Sequence, residues 1–147
     1  MANDTVDAAT SGEITRLDPV YAPDAAFFWE GAARGELLGQ RCADCKQFGH
    51  PPRPMCPKCH STRREQVRLS GYGTVYSWIV PRHPAPVGFA EPPVVALIEL
   101  EEGIRLVSNL VDIEFSAVRS GLAVEVRFVP TRGGRAVPVF GPRGLAR

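Results

Sequence analysis

From residue 69 onward the chain alternates apolar and polar positions in short runs broken by glycine and proline, the pattern of strands rather than helices. Residues 69–80 (LSGYGTVYSWIV) set Tyr72, Thr74, Tyr76, Trp78 and Val80 on one side and Val75, Ser77 and Ile79 on the other. Gly71 and Gly73 allow the sharp coil that a long first strand needs to serve both halves of a small barrel. Residues 81–93 hold five prolines and read as a long loop. Residues 94–100 and 104–111 pair as a hairpin across Glu101-Glu102-Gly103. Residues 113–120 fit one or two helical turns capped by Gly121, and residues 123–129 alternate again. Arg132-Gly133-Gly134-Arg135 then turns the chain into residues 136–140. Five strands with a short helix between the third and fourth predict an OB-fold barrel over residues 69–142, with a tail at 143–147.

Upstream the pattern differs. Residues 1–22 are polar, poor in large apolar groups and interrupted by Asp18-Pro19, so they read as a flexible lead. Pro23-Asp24 suits a helix start, and good helix formers continue to residue 38. Within that stretch Phe27, Phe28 and Trp29 are adjacent, and neighbours on a helix sit about 100° apart. They cannot share one face, so part of this aromatic surface meets a second body, either the rest of the chain or a partner. Phe27, Phe28, Trp29, Tyr76 and Trp78 are therefore the candidate partner interface.

Residues 39–68 carry no such periodicity; here the chemistry speaks instead. All four cysteines fall in this segment, as Cys42-Ala43-Asp44-Cys45 and Cys56-Pro57-Lys58-Cys59. Two thiolates on one tight knuckle supply an edge of a tetrahedron, and two knuckles close a four-sulfur shell around Zn²⁺. The ten-residue spacer contains Gly49 and three prolines, which suits an irregular hairpin. So small a unit cannot bury a core of its own, so the metal supplies much of its folding free energy. Disulfides do not suit a chain without a secretion signal, and a thioredoxin-like redox pair needs one C-x-x-C in a βαβ setting. Cys56 to His60 also matches the haem-attachment pattern C-x-x-C-H, but the upstream pair would then have no role. A closed Cys₄ shell has no open coordination position, so the expected zinc is structural. His50 and His60 are substitute ligands only if a cysteine is unused, and the ribbon and barrel are expected to have separate cores.

Charge sharpens these divisions. Residues 1–36 carry seven acids against two arginines, a net of −5, and residues 37–68 carry seven bases against two acids, a net of +5. The whole chain of 147 residues is nearly neutral at +1, with 44% hydrophobic and 22% charged residues. It can bury a core and lacks the basic footprint of a nucleic-acid binder, although Tyr72, Tyr76 and Trp78 would suit base stacking. The first sixteen residues show no basic region followed by an apolar stretch, and no apolar run approaches membrane-spanning length, so the expected location is the cytoplasm.

Several motifs together extend the reading. Phe28-Trp29-Glu30-Gly31, Gly35-Glu36-Leu37, Arg41-Cys42, Pro51-Pro52-Arg53-Pro54, the two C-x-x-C knuckles, residues 70–77 (SGYGTVYS) and Asn109-Leu110-Val111 resemble the zinc-ribbon/OB-fold family catalogued as domain of unknown function thirty-five. The resemblance runs from about residue 24 to residue 142. It implies a mostly β fold of N-terminal helix, rubredoxin-like zinc ribbon and OB barrel. It also implies an accessory subunit that docks on a thiolase-superfamily enzyme, a thiolase or retro-aldolase, and helps hold coenzyme A or an acyl-CoA thioester. The alternatives are a partner of a MaoC-type enoyl-CoA hydratase and a single-stranded nucleic-acid-binding module. The implied subunit is non-catalytic or semi-catalytic, and the chain shows no complete active site of its own: every cysteine is in a knuckle, and His83 lies in the proline-rich loop without an acidic neighbour. Coenzyme A presents phosphates, so basic groups near an apolar wall are candidates to hold it: Arg82 and His83 after the aromatic strand, with Arg53, Lys58 and Arg63 on the ribbon.

Overall fold

The computed structural model describes residues 16–144. A 3₁₀ turn (Pro23–Ala25) leads into helix α1 (Ala26–Ala33), followed by strands β1 (Leu38–Cys42), β2 (Phe48–Gly49) and β3 (Arg64–Arg68). Strands β4 (Tyr72–Ile79), β5 (Val94–Leu100), β6 (Arg105–Leu110), β7 (Ala123–Pro130) and β8 (Ala136–Pro142) complete the chain. The first three form an antiparallel sheet in the order β2-β1-β3, and the last five close a barrel in the order β4-β5-β6-β8-β7. The β6–β8 contact is parallel and the remaining barrel pairs are antiparallel. Mostly β, with one short helix ahead of a cysteine-bearing sheet and a five-stranded barrel, the architecture is the expected one.

Inward positions of the barrel follow the alternation. On β5 every second residue from Val94 to Leu100 is buried, and Val75, Ile98, Val124, Val139 and Phe140 are almost wholly shielded from solvent. On β4 the pairing with β5 slips between Val75 and Ser77, a bulge at Tyr76. A bulge puts two residues opposite one and reverses the facing of everything after it. Gly73 and Val75 therefore point inward before the bulge, while Trp78 and Val80 pack toward the core after it. The single aromatic row expected for Tyr72, Tyr76 and Trp78 does not form, and Tyr76 and Ile79 are left on the outside. Gly73 permits the close approach of the two strands: a Cβ there would lie 2.5 Å from the Glu99 carbonyl oxygen. The helical turns expected at 113–120 shrink to one 3₁₀ turn, Phe115–Ala117, capped by Val118. Gly121 instead takes φ +79° in the turn before β7, its N–H donating to the Val75 carbonyl.

Helix α1 stops at Ala33 instead of reaching residue 38. Gly35 adopts φ +73° and donates its N–H to the Ala32 carbonyl, a left-handed ending that only glycine takes without cost. Leu38 is then free to pair with Arg68 at the root of the ribbon. Phe28 is buried in the same apolar cluster as Leu37, Leu69 and the barrel interior, with Phe27, Trp29 and Phe48 packed against it. The ribbon root and the barrel thus share one core, where separate cores were expected, because β1 and β3 deliver Leu37 and Leu69 onto the barrel end. The lead expected to be flexible is anchored from Arg16 onward. Arg132 N–H donates to the Arg16 carbonyl at 2.9 Å, Thr131 and Gly133 bond the Asp18 carboxylate, and Tyr21 stacks on Trp29 at 6.0 Å. Its first fifteen residues lie outside the described ones, as do residues 145–147 of the expected tail. Within that tail, Arg143 reaches Glu101 at 3.3 Å and covers the Tyr72 ring.

Candidate functional site

The two cysteine knuckles repeat one backbone pattern. Cys42 N–H donates to the Gln47 carbonyl and Lys46 N–H to the Cys42 carbonyl; Cys56 N–H donates to the Ser61 carbonyl and His60 N–H to the Cys56 carbonyl. In each, the residue after the second cysteine, Lys46 or His60, turns left-handed at φ 60°. These turns fold each C-x-x-C back on itself and bring the knuckles face to face. Cys42 Sγ lies 3.5 Å from Cys59 Sγ, and Cys45 Sγ lies 3.6 Å from Cys56 Sγ. All four sulfurs lie within 4.8 Å of one another.

A tetrahedral site with Zn–S bonds of ~2.3 Å has sulfur–sulfur edges of about 3.8 Å. The spacing fits that ion and is far beyond the ~2.05 Å of a disulfide. The electrostatics favour thiolate on the buried members. Cys56 is lowered to about 6, chiefly by the Cys59 N–H, and Cys42 is lowered chiefly by the Cys45 N–H. The Ser61 N–H works in the same direction on Cys59, but desolvation and the neighbouring sulfurs outweigh it and push that thiol up to about 11. Negative charge gathered on the inner sulfurs is what a divalent cation neutralises. The four cysteines form a zinc-ribbon site, and the residues present fit the metal.

Polar pairs brace the knob. Glu65 of β3 takes Lys46 and Arg41, each at 2.8 Å, and these contacts hold its carboxyl below the usual carboxylate range, Lys46 contributing most. Asp44 in the first knuckle accepts from Ser61 and Arg63 around the second. Arg63 is thereby committed to the ribbon's own architecture. Lys58 is exposed on the second knuckle, and Arg82 and His83 are exposed in the loop between β4 and β5. Of the five basic residues singled out from the sequence, Arg53 lines a cleft between ribbon and barrel, together with Arg64, Arg105 and Gln40. Arg64 and Arg105 were missed, because nothing in the local pattern tells that the β5–β6 hairpin reaches the ribbon. Of the aromatic candidates, Phe28 is spent inside the chain, while Tyr76 is half exposed with the Arg105 guanidinium 3.7 Å above its ring. A second cleft, mainly apolar, runs between Trp29, Phe89 and Val107. Among the described residues no helix is long and apolar enough to cross a membrane.

Comparison with known proteins finds both units. Residues 29–64 match the family model described as the ChsH2 rubredoxin-like zinc ribbon domain, and residues 66–129 match that of the ChsH2 C-terminal OB-fold domain. The chain is 44% identical over 127 residues to a probable enoyl-CoA hydratase alpha subunit of Thermomonospora curvata, spanning 86% of this chain but 40% of that protein. It is 43% identical over 95 residues to a DUF35 domain-containing scaffold protein of Methanocaldococcus jannaschii, spanning 63% of this chain and 67% of that one. Among solved structures, a chain described as Ltp2-ChsH2(DUF35) aldolase superposes with a TM-score of 0.77 at 44% identity, covering 85% of this chain and 98% of that chain. A four-sulfur knob, a shared ribbon–barrel core and a closed five-stranded barrel, with family models matched over residues 29–64 and 66–129, place this chain in the DUF35 family of zinc-ribbon/OB-fold proteins.

Proposed function

We propose that this chain is a non-catalytic accessory subunit of an acyl-CoA enzyme, docking on a thiolase-superfamily aldolase or thiolase and contributing to the binding of the acyl-CoA thioester. The observation that carries this reading is the near-complete cover of the DUF35 chain of the Ltp2-ChsH2(DUF35) aldolase, at 44% identity. Structural zinc on Cys42, Cys45, Cys56 and Cys59 is part of the reading. A closed four-thiolate shell leaves no position for substrate, so the ion's task is to hold the knob in shape beside the barrel. The chemistry is assigned to the partner, and this chain supplies a rigid surface and cationic groups beside it.

The test is co-expression with the thiolase-like protein encoded nearest to it. The expected result is a stable hetero-oligomer whose carbon–carbon bond-forming or bond-cleaving activity is lost when this chain is omitted and restored when it is added back. Full activity of the partner alone, with no complex on gel filtration, would overturn the reading. A second reading is favoured by the hydratase alpha subunit of Thermomonospora curvata, in which a homologous segment is one part of a longer chain. In that case the co-eluting protein is a MaoC-type hydratase, and its mass tells the two apart.

A further inference from the structure

Two clefts meet at His50 and Pro51, which line both. The first, about 470 Å³, lies between the ribbon and the β5–β6 tip and is walled by Gln40, Arg53, Arg64, Glu99 and Arg105. Its one carboxylate, Glu99, is taken by Arg105 at 2.7 Å. Neither Arg53 nor Arg64 forms an ion pair among the described residues, so the compartment is left cationic. The second, about 500 Å³, continues along β6 between Leu17, Trp29, Val87, Phe89 and Val107, with the Arg16 guanidinium held by the Asn109 side chain at 2.6 Å and lying 4.9 Å over the Phe89 ring. Three of these are unusually bare for large apolar groups, at 48% for Leu17, 77% for Val87 and 68% for Val107. Leaving that much hydrocarbon facing a concave space is unfavourable unless something apolar covers it. At the junction, His50 packs on the Phe28 ring at 5.5 Å, and burial lowers its pKa. The wall between the compartments is therefore neutral near pH 7.

We propose that the two clefts are one amphipathic trough for an elongated ligand, with a phosphorylated end on Arg53 and Arg64 and an apolar chain laid along Val107 and Val87. Pockets of this kind, mainly apolar with a few placed charges, are the usual form of small-molecule sites between structural units. The choice of a long acyl-CoA as that ligand rests on the reading under Proposed function; the division into a cationic and an apolar compartment does not. Arg53 and Arg64 replace Arg82, His83, Lys58 and Arg63 as the head-group contacts, because the latter four line neither cleft.

The experiment is calorimetric titration of the zinc-loaded full chain with coenzyme A and with acetyl-, hexanoyl- and decanoyl-CoA. Affinity is expected to rise with chain length, by up to about fourfold per buried methylene. Val107→Glu should flatten that rise while leaving coenzyme A binding intact. Arg53→Glu should weaken coenzyme A and every thioester alike, by about tenfold, and more so at low salt. Both side chains are exposed, so zinc content and circular dichroism should not change in either variant. Absence of binding, affinity independent of chain length, or variants that bind like the natural chain would each overturn the trough. If the chain still co-elutes with its enzyme subunit in those cases, the trough alone fails; loss of co-elution is the separate failure of the accessory-subunit reading.

Discussion

In the barrel the large apolar side chains that are fully buried are Val75, Ile98, Val124, Val139 and Phe140, whereas in the ribbon the fully buried side chains are Cys42 and Cys56. The barrel closes by hiding hydrocarbon from water, a term that grows with every inward residue of five strands. The ribbon has two residues of β2 and five each of β1 and β3, too little sheet to build an apolar core: besides Cys42, β1 buries Gly39 and Gln40. The two units join at the root, where Leu37 and Leu69 enter the barrel's apolar cluster and Phe48 of β2 packs against it. A cross-link at the tip and a shared core at the base are thus two separate means of ordering one short segment.

The largest expected effect breaks the tip. Cys42→Ser, or chelation of the natural protein, should abolish stoichiometric zinc and unfold residues between the two knuckles, since apparent zinc-binding free energies of ~10–16 kcal/mol are folding free energies in such units. The barrel and the ribbon root should remain protected. Hydrogen exchange resolved by segment is the measurement; knuckle amides that stay protected without metal would mean that polar pairs such as Glu65 with Lys46 and Arg41 hold the knob unaided. The converse change strikes the barrel. Phe140→Ala removes a fully buried ring and should cost about 3–5 kcal/mol in denaturant unfolding, with zinc retained. Gly73→Ala, whose Cβ would collide with the Glu99 carbonyl, should fall in the same range or below, because only backbone movement can relieve it. Zinc released at the same denaturant concentration as barrel unfolding would show that the root couples the two units more tightly than the tip isolates them.

How much of this was legible beforehand follows the same divide. Strands β5 to β8 were readable because burial on one face imposes alternation, and the metal knob was readable because coordination imposes spacing. What stayed hidden was whatever depends on distant partners. The bulge at Tyr76 leaves no mark in the local pattern, so alternation alone sets Trp78 in one row with Tyr72 and Tyr76, a row the bulge breaks. Residues 16–22 looked like a free lead because the groups that hold them, Asn109, Thr131 and Arg132, are about a hundred positions away. Gly35, which ends α1 early, was in plain view; its left-handed turn outweighs the good helix propensity of the residues that follow. Arg64 and Arg105 meet across the cleft only once β1 to β3 fold back toward the β5–β6 tip.

A smaller effect tests the junction between the units. Burial holds His50 below its ordinary value of 6.5, so the native state keeps it neutral while the unfolded chain takes up a proton as pH falls. The unfolded state then binds more protons, and native stability declines from about pH 6.5 downward, until the lowered native value is passed. His50→Gln removes that slope. The difference in unfolding free energy between the natural chain and the variant should be flat above neutrality and move against the natural chain below pH 6.5, and taking the difference cancels the acid sensitivity of the zinc site common to both. A difference that does not move with pH would mean the imidazole is as well solvated in the native state as in the unfolded one, and that the junction is wetter than its packing on Phe28 implies.

The smallest expected effect returns to the knuckles. Lys46 and His60 both sit at φ 60°, a conformation that costs a residue with a Cβ roughly 1 kcal/mol relative to glycine. His60 is exposed and its N–H bonds the Cys56 carbonyl, so its backbone does the work of the turn while its imidazole plays no part in the four-sulfur set. His60→Gly should therefore keep the hydrogen bond, relieve the left-handed strain and slow zinc release to a chelator, for a net gain below about 1 kcal/mol once the greater freedom of glycine in the unfolded chain is subtracted. Phe140 and Gly73 report on burial, and this substitution reports on the ribbon's turns alone, so the unfolding midpoint of the barrel should not move with it. Faster zinc release from His60→Gly would instead make the imidazole a participant in the metal site, and the division between a cross-linked tip and a buried core would have to be redrawn around five side chains.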